Sequence, residues 1–314
     1  MIMAVIFIVV GLLLLIWGAD KMVDGAVSIA AQFGVSQLVI GMTIVAIGTS
    51  APEIFVALMA ATKGLAAMAI GNSIGSNIAN VGLVLGLTAV VAPLNVSERV
   101  FQKELPVLFL VMLLVAVLFV DGYLRQFDGF VLLLALVGFL AWLLFHGGKA
   151  PVENSPFQPQ FSLTVAIAWT VVGSIGLLLG AHLLVSGAVG IAQMLGLSDL
   201  VIGLTIVAIG TSLPEVAASM MAAMKGKADL AVGNVIGSNV FNLLAVLLMP
   251  ALFAPGPLEQ AVLRRDYPVM VGLTALVYFM LVSTGRVKRM IGRFQGGVLL
   301  AMYVGYLGLL YWQS

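Results

Sequence analysis

The sixteen residues LVIGMTIVAIGTSAPE, ending at Glu53, return 162 positions later as LVIGLTIVAIGTSLPE, ending at Glu215, with 14 identities. The same offset carries GNSIGSNIAN at Gly71 onto GNVIGSNVFN at Gly233, and Gly18, Ala19, Gly25 and Gly34 onto Gly180, Ala181, Gly187 and Gly196. It also carries Glu104 and Pro106 onto Asp266 and Pro268, and after five further residues FDGFVLL at Phe127 matches FQGGVLL at Phe294. Repetition on this scale means that one structural unit is built twice. Any fold for the chain has to accommodate two copies of the same arrangement.

The solvent for those copies follows from composition. Of 314 residues, 62% are hydrophobic and 9% charged, against about a quarter charged in soluble domains. The chain reads as an integral membrane protein in a lipid bilayer. A hydrocarbon core about 30 Å thick needs roughly 20 apolar residues per helix. Low-charge runs place helices near 2–32, 37–62, 66–92, 104–120 and 127–145, then near 161–194, 199–224, 228–253, 266–284 and 294–312. The apolar start from Met1 to Trp17 has no basic segment before it and aligns with the second copy, so it reads as the first span and not as a cleaved signal.

The expected fold class is therefore an all-α integral membrane protein with ten transmembrane helices as two inverted five-helix repeats. Residues 1–145 form the first repeat, 146–160 a Pro- and Gly-rich linker, and 161–314 the second repeat. An odd number of spans per copy turns the second upside down relative to the first. Basic residues cluster in the connections after odd-numbered helices (Arg99, Lys103, Lys149, Lys225, Lys227, Arg286, Lys288, Arg289 and Arg293). Only Lys63, Arg125, Arg264 and Arg265 follow even-numbered ones. The positive-inside rule makes the odd connections, the linker among them, cytoplasmic. The expectation is a multi-pass protein of the cell membrane with both termini extracytoplasmic. A net charge of +1 points to no nucleic-acid partner. Without cysteine the chain has no thiol nucleophile or disulfide. Neither an HExxH pattern nor paired histidines mark a zinc enzyme.

Glu53 and Glu215 each sit among small and apolar residues. A carboxylate near the middle of a spanning helix costs about 2.5–3.5 kcal/mol on insertion scales and needs a partner or a wet cavity. No lysine or arginine falls within the core of a span, so the counter-charge is expected to be a bound cation or a proton. Pro52 and Pro214 each remove a backbone donor, which predicts carbonyl oxygens without helical partners from Ala46 to Thr49 and around Ala208. Thr49, Ser50, Thr211 and Ser212 add hydroxyls beside them. Carboxylate, carbonyl and hydroxyl oxygens are what hard cations such as Ca²⁺ and Na⁺ take as ligands. Asn72, Ser76 and Asn80 share one helix face, as do Asn234, Ser238 and Asn242, and offer further neutral oxygens. Gly71, Gly75, Gly233 and Gly237 are expected to let neighbouring backbones approach.

Other polar residues carry less weight. Asp20 and Asp24, near the end of the first helix, have His182 and Ser186 as counterparts. They read as solvated or interfacial groups before they read as an ion entrance. Glu104 and Asp266, each two residues before a proline, fit helix starts at the membrane surface.

The two GTSxPE and two GNxxGSNxxN segments resemble the cation/Ca²⁺ exchanger superfamily, in its prokaryotic Na⁺/Ca²⁺ exchanger branch, over nearly the whole chain. The Ca²⁺/H⁺ members typically carry GNxxE at the acid, which this chain lacks. The resemblance implies a non-enzymatic secondary antiporter that exchanges Na⁺ for Ca²⁺ by alternating access. Glu53 and Glu215 would be shared ligands of Ca²⁺ and Na⁺. Thr49, Ser50, Thr211 and Ser212, with the carbonyls of Ala46 and Ala208, would add oxygens; Ser76 and Ser238 would complete flanking Na⁺ positions, and Asn80 and Asn242 would line the middle. Many members have aspartate where this chain has Asn242, and in the K⁺-dependent branch that aspartate is tied to K⁺, so K⁺ independence is implied. A Ca²⁺/H⁺ exchanger using the same glutamates is the alternative. No cofactor beyond the transported ions is implied. The sequence leaves the oligomeric state open, and one chain holds everything that transport needs.

Overall fold

The computed structural model describes residues 1–146, 160–196, 208–283 and 289–313. Among them nine helices are long and apolar enough to cross a bilayer. These are α1 (Ile2–Phe33), α2 (Gln37–Thr62), α3 (Ala66–Val91), α4 (Val100–Leu118) and α5 (Gln126–His146) in the first half. In the second half they are α6 (Leu163–Met194), α8 (Ala228–Phe253), α9 (Val262–Ser283) and α10 (Arg293–Gln313). The remaining helix, α7, is described as Ala208–Thr211 and Leu213–Met224. The expected start of α7 near 199, most of the 146–160 linker, and Lys149, Arg286 and Lys288 lie outside the described residues.

Connections of the two halves are tied to one another. Leu94–Asn95, after α3, pairs antiparallel with Met290–Ile291, after α9. Tyr123–Leu124, after α4, pairs with Gly256–Pro257, after α8. Arg289 crosses to Glu98 at 2.8 Å, and Gln32 at the end of α1 donates to the Phe161 carbonyl before α6 at 2.7 Å. Odd connections thus meet odd ones and even meet even, as an inverted repeat requires.

α3 and α8 are the most enclosed spans, while Leu110, Leu113 and Val117 of α4 and Leu134 and Val137 of α5 face outward, as lipid-facing residues do. α1 and α6 lie antiparallel along a seam of glycines seven residues apart. A Cβ on Gly18 would sit 2.5 Å from the Leu177 nitrogen, one on Gly173 2.4 Å from the Met22 nitrogen, and one on Gly180 2.6 Å from the Leu15 nitrogen. The backbones touch there with no side chain between them. In lipid, where apolar side chains gain nothing from leaving their solvent, such close packing is what holds helices together.

Two expectations change. Glu104 and Asp266 are not at surface helix starts. The helices begin four residues earlier, and both acids are buried inside π-helical turns, Val100–Glu104 and Val262–Asp266. Each finds a nearby guanidinium: Arg99 at 2.8 Å from Glu104 and Arg265 at 2.6 Å from Asp266. The wide turn lets the helix continue through the charged stretch by pairing it internally. The glycines also divide. Cβ atoms on Gly233 and Gly237 would meet the Leu38 carbonyl at 2.5 Å and Met42 Cα at 2.6 Å, whereas Gly71 and Gly75 have nothing within 4 Å among the described residues. These last two line a cavity instead.

Candidate functional site

α2 reaches the centre by an irregular path. A π-helical turn at Gly41–Val45 precedes regular helix at Ala46–Thr62, which runs on through Pro52. No break occurs at this proline; the helix widens instead about two turns earlier. In the second copy the interruption does fall beside the motif: Ser212 leaves helical geometry (φ −89°, ψ 1°), and a new helix starts with Pro214 in its first turn. Proline is tolerated in that first turn because its missing donor would have had no partner there.

The motif side chains face inward. Thr49, Ser50, Glu53, Ser212 and Glu215 are at most 1% exposed, while Thr211 is half-buried. Thr49 Oγ1 lies 3.3 Å from the Ala46 carbonyl and donates to Asn234 Oδ1 at 3.2 Å. Ser50 Oγ donates to Glu215 Oε1 at 3.1 Å. Both longer-range links join the first repeat to the second. Ala208 opens the described part of α7.

α3 and α8 supply the opposing wall. Each turns π-helical at the last asparagine of its motif, at Asn80–Leu85 and Asn242–Val246. The Leu247 amide reaches back five residues to the Asn242 carbonyl, which also accepts from Ser73 Oγ at 2.6 Å. Such turns re-aim side chains and recur at functional sites. The Asn80 segment packs against α7 and α8, and the Asn242 segment against α2 and α3. Each asparagine is thus placed beside the opposite repeat's helices.

Among the described residues, five buried side-chain atoms at this centre have no hydrogen-bond partner: Glu53 Oε2, Glu215 Oε2, Ser238 Oγ, Asn242 Oδ1 and Asn80 Nδ2. Neither glutamate is ion-paired among the described residues. Buried polar atoms are ordinarily satisfied, and a cluster of exceptions marks a place where something else binds. The donor set is all oxygen apart from the amide nitrogens. It suits a hard cation and offers nothing to a soft one.

One side of this centre opens. A cavity of about 320 Å³ is lined by Asn72, Ser76, Ala79, Thr211 and Ser212, together with Arg265, Asp266 and Tyr306. A second, of about 170 Å³, is bounded by Pro52, His182, Gly210 and Pro214.

Two residues of the sequence motifs do more than expected. Asn234 accepts from Thr49 and donates to Ser219 Oγ at 2.9 Å. Its counterpart Asn72 donates to the Glu53 carbonyl at 3.2 Å. Their place on the Ser76 and Ser238 faces was the available signal. The partners, one on each opposing helix, could be named only from the folded chain.

The family model described as sodium/calcium exchanger protein matches residues 3–145 and 165–312. CaxA of Alkalimonas amylolytica is 45% identical over 321 residues, covering 99% of each chain. The inner membrane protein YrbG of Escherichia coli is 37% identical, over 100% of this chain and 98% of its own. A solved structure of the sodium-calcium exchanger NCX_Mj, soaked with Na⁺ and Ca²⁺, superposes with a TM-score of 0.85 at 38% identity, covering 98% of both chains. With both halves matched by the family model and the whole length aligned to relatives of one architecture, this multi-pass membrane protein belongs to the sodium/calcium exchanger family.

Proposed function

We propose that the chain is a secondary antiporter that exchanges Na⁺ for Ca²⁺ by alternating access, without K⁺ and without enzymatic turnover. The observation that carries this is the pair of buried glutamates, neither ion-paired and each with an unpartnered oxygen among the described residues, surrounded by hydroxyl and amide groups from both repeats. Glu53 and Glu215 bind Ca²⁺ and Na⁺ in competition. Ser50 and Ser212, Thr49 and Thr211, Ser76 and Ser238, Asn80 and Asn242, and the carbonyls of Ala46 and Ala208 complete the ligand sets. The sodium-calcium exchanger that this chain resembles at 38% identity supports the choice of ions.

Coupling follows from charge. Two carboxylates balance one Ca²⁺. With no ion bound they leave two uncompensated charges in the hydrocarbon, each costing several kcal/mol. An empty site therefore resists crossing, and each passage requires cargo. Units 1–145 and 161–314, joined by the 146–160 linker, supply opposed halves. α2, α3, α7 and α8 hold the ions, while α1 and α6, joined along their glycine seam, move against them. On the positive-inside orientation, with both termini outside, the 320 Å³ cavity opens outward.

The alternative is a Ca²⁺/H⁺ exchanger that loads protons on the same glutamates. Proteoliposomes distinguish the two. Ca²⁺ uptake should follow an imposed Na⁺ gradient with pH clamped on both sides. Uptake that follows a proton gradient and ignores Na⁺ would replace this reading with the alternative.

A further inference from the structure

Away from the ion site, α1 and α7 are tied by charge. Asp20 and Asp24 stand one turn apart on α1. Lys225, at the end of α7, places its Nζ 2.7 Å from Asp20 Oδ1, 2.5 Å from Asp24 Oδ1 and 3.1 Å from the Asp20 carbonyl. The side chains are a quarter to a third exposed. Lys21 pairs with Asp20 at 3.3 Å and lies over the Trp169 ring of α6, 5.2 Å from its centroid. Lys227 also interacts with Asp24. The ammonium of Lys225 thus bridges a helix assigned to the moving pair and a helix that holds the ions, on the side opposite the 320 Å³ cavity.

The inverted repeat provides its own comparison. An offset of 162 carries Lys225 back to Lys63, and Asp20 and Asp24 forward to His182 and Ser186. The lysine is present in both copies, but the acids are present in one. Lys63 is exposed at the end of α2 and has no carboxylate partner among the described residues. His182 borders the 170 Å³ cavity. The contact equivalent to Lys225 with Asp20 and Asp24 would set Lys63 against a histidine and a serine in place of two carboxylates.

We infer that Lys225 with Asp20 and Asp24 is a one-sided gate lock that biases the exchanger toward the state open at the 320 Å³ cavity. The inference rests on the alternating-access reading above. Partly exposed ion pairs are individually weak, and two acting on one ammonium shift a two-state equilibrium by roughly 3- to 30-fold.

The chain has no cysteine, so a single introduced thiol is the only one that a membrane-impermeant maleimide can reach. Leu307→Cys reports on the open cavity, which Leu307 lines. Leu140→Cys, its counterpart at the 167-residue offset of the last helices, reports on the other side. In proteoliposomes holding the full chain, Lys225→Gln, and separately Asp20→Asn with Asp24→Asn, should raise Leu140→Cys labelling from the cytoplasmic face roughly 3- to 30-fold. Leu307→Cys labelling should fall in the same variants. His182→Asp with Ser186→Asp gives Lys63 two acidic partners and should lower Leu307→Cys labelling while Lys225 is intact. This gain of a contact keeps the test open if Lys225→Gln does not accumulate. Labelling unmoved in both directions, with Na⁺-driven Ca²⁺ flux present in the wild type, overturns the lock alone. Absence of that flux in the wild type overturns the exchanger reading.

Discussion

Replacing Gly173 by alanine tests whether α1 and α6 move as one body. The new Cβ would lie 2.4 Å from the Met22 nitrogen and 2.7 Å from the Gly18 carbonyl oxygen, both backbone atoms of α1. Neither can swing aside as a side chain would. Ordinary contact begins at 3.4 Å, so the helices must separate locally by about 1 Å, and overpacking of this kind costs roughly 1–3 kcal/mol. The strain falls between Gly18 and Gly25, within a seam that also holds Gly11, Gly180 and Gly187, so the pair is prised apart there. Gly308→Ala is the control, since nothing lies within 4 Å of that glycine's Cβ direction. Thermal unfolding in detergent should show a midpoint several degrees lower for Gly173→Ala and unchanged for Gly308→Ala, with exchange slowed only in the former. A Gly173→Ala protein with wild-type midpoint and wild-type flux would refute the seam as a rigid joint.

Three further outcomes are expected. Ser50→Ala removes a hydroxyl beside Glu215 Oε1 that is proposed as an ion ligand; losing a polar contact to a charged group costs about 1.5–3 kcal/mol, so ⁴⁵Ca²⁺ half-saturation should rise roughly 10- to 100-fold with expression unchanged. Arg99→Leu strands the fully buried Glu104 carboxyl and should cost about 3 kcal/mol, the low end for a broken buried pair because Arg99 is partly exposed. Pairing it with Glu104→Leu should recover most of that loss in a double-mutant cycle read by denaturation. Replacing all K⁺ by N-methyl-D-glucamine should leave Na⁺-driven Ca²⁺ uptake unaltered, given the amide at Asn242; a K⁺ requirement would contradict the assignment of that position.

Much of this architecture is legible before folding because it is written twice. The 162-residue offset locates the helices, their inversion and the two central acids together, and Ser50 and Thr49 follow as neighbours on the same helix. What escapes sequence reading is of two kinds. The five π-helical turns among the described residues have no residue signature, so the sequence places the helix starts before Glu104 and Asp266 four residues late and presents those acids as surface groups. Pro52 likewise marks a break in the sequence, whereas the widened turn lies at Gly41–Val45. The second kind is long-range pairing. Asp20 and Lys225 are separated by most of the chain, as are Thr49 and Asn234, and only the seating of α1 with its C-terminal half against the C-terminal end of α7, and of α2 beside α8, brings them together.

The central claim is that Glu53 and Glu215 carry the exchanged ions. It is tested most directly by ⁴⁵Ca²⁺ flux into proteoliposomes under an imposed Na⁺ gradient, comparing wild type with Glu53→Gln and Glu215→Gln. Each substitution keeps the shape and removes one of the two charges that balance Ca²⁺, so both variants should lose Na⁺-driven uptake while inserting normally in the membrane. Wild-type uptake in either variant would contradict the account.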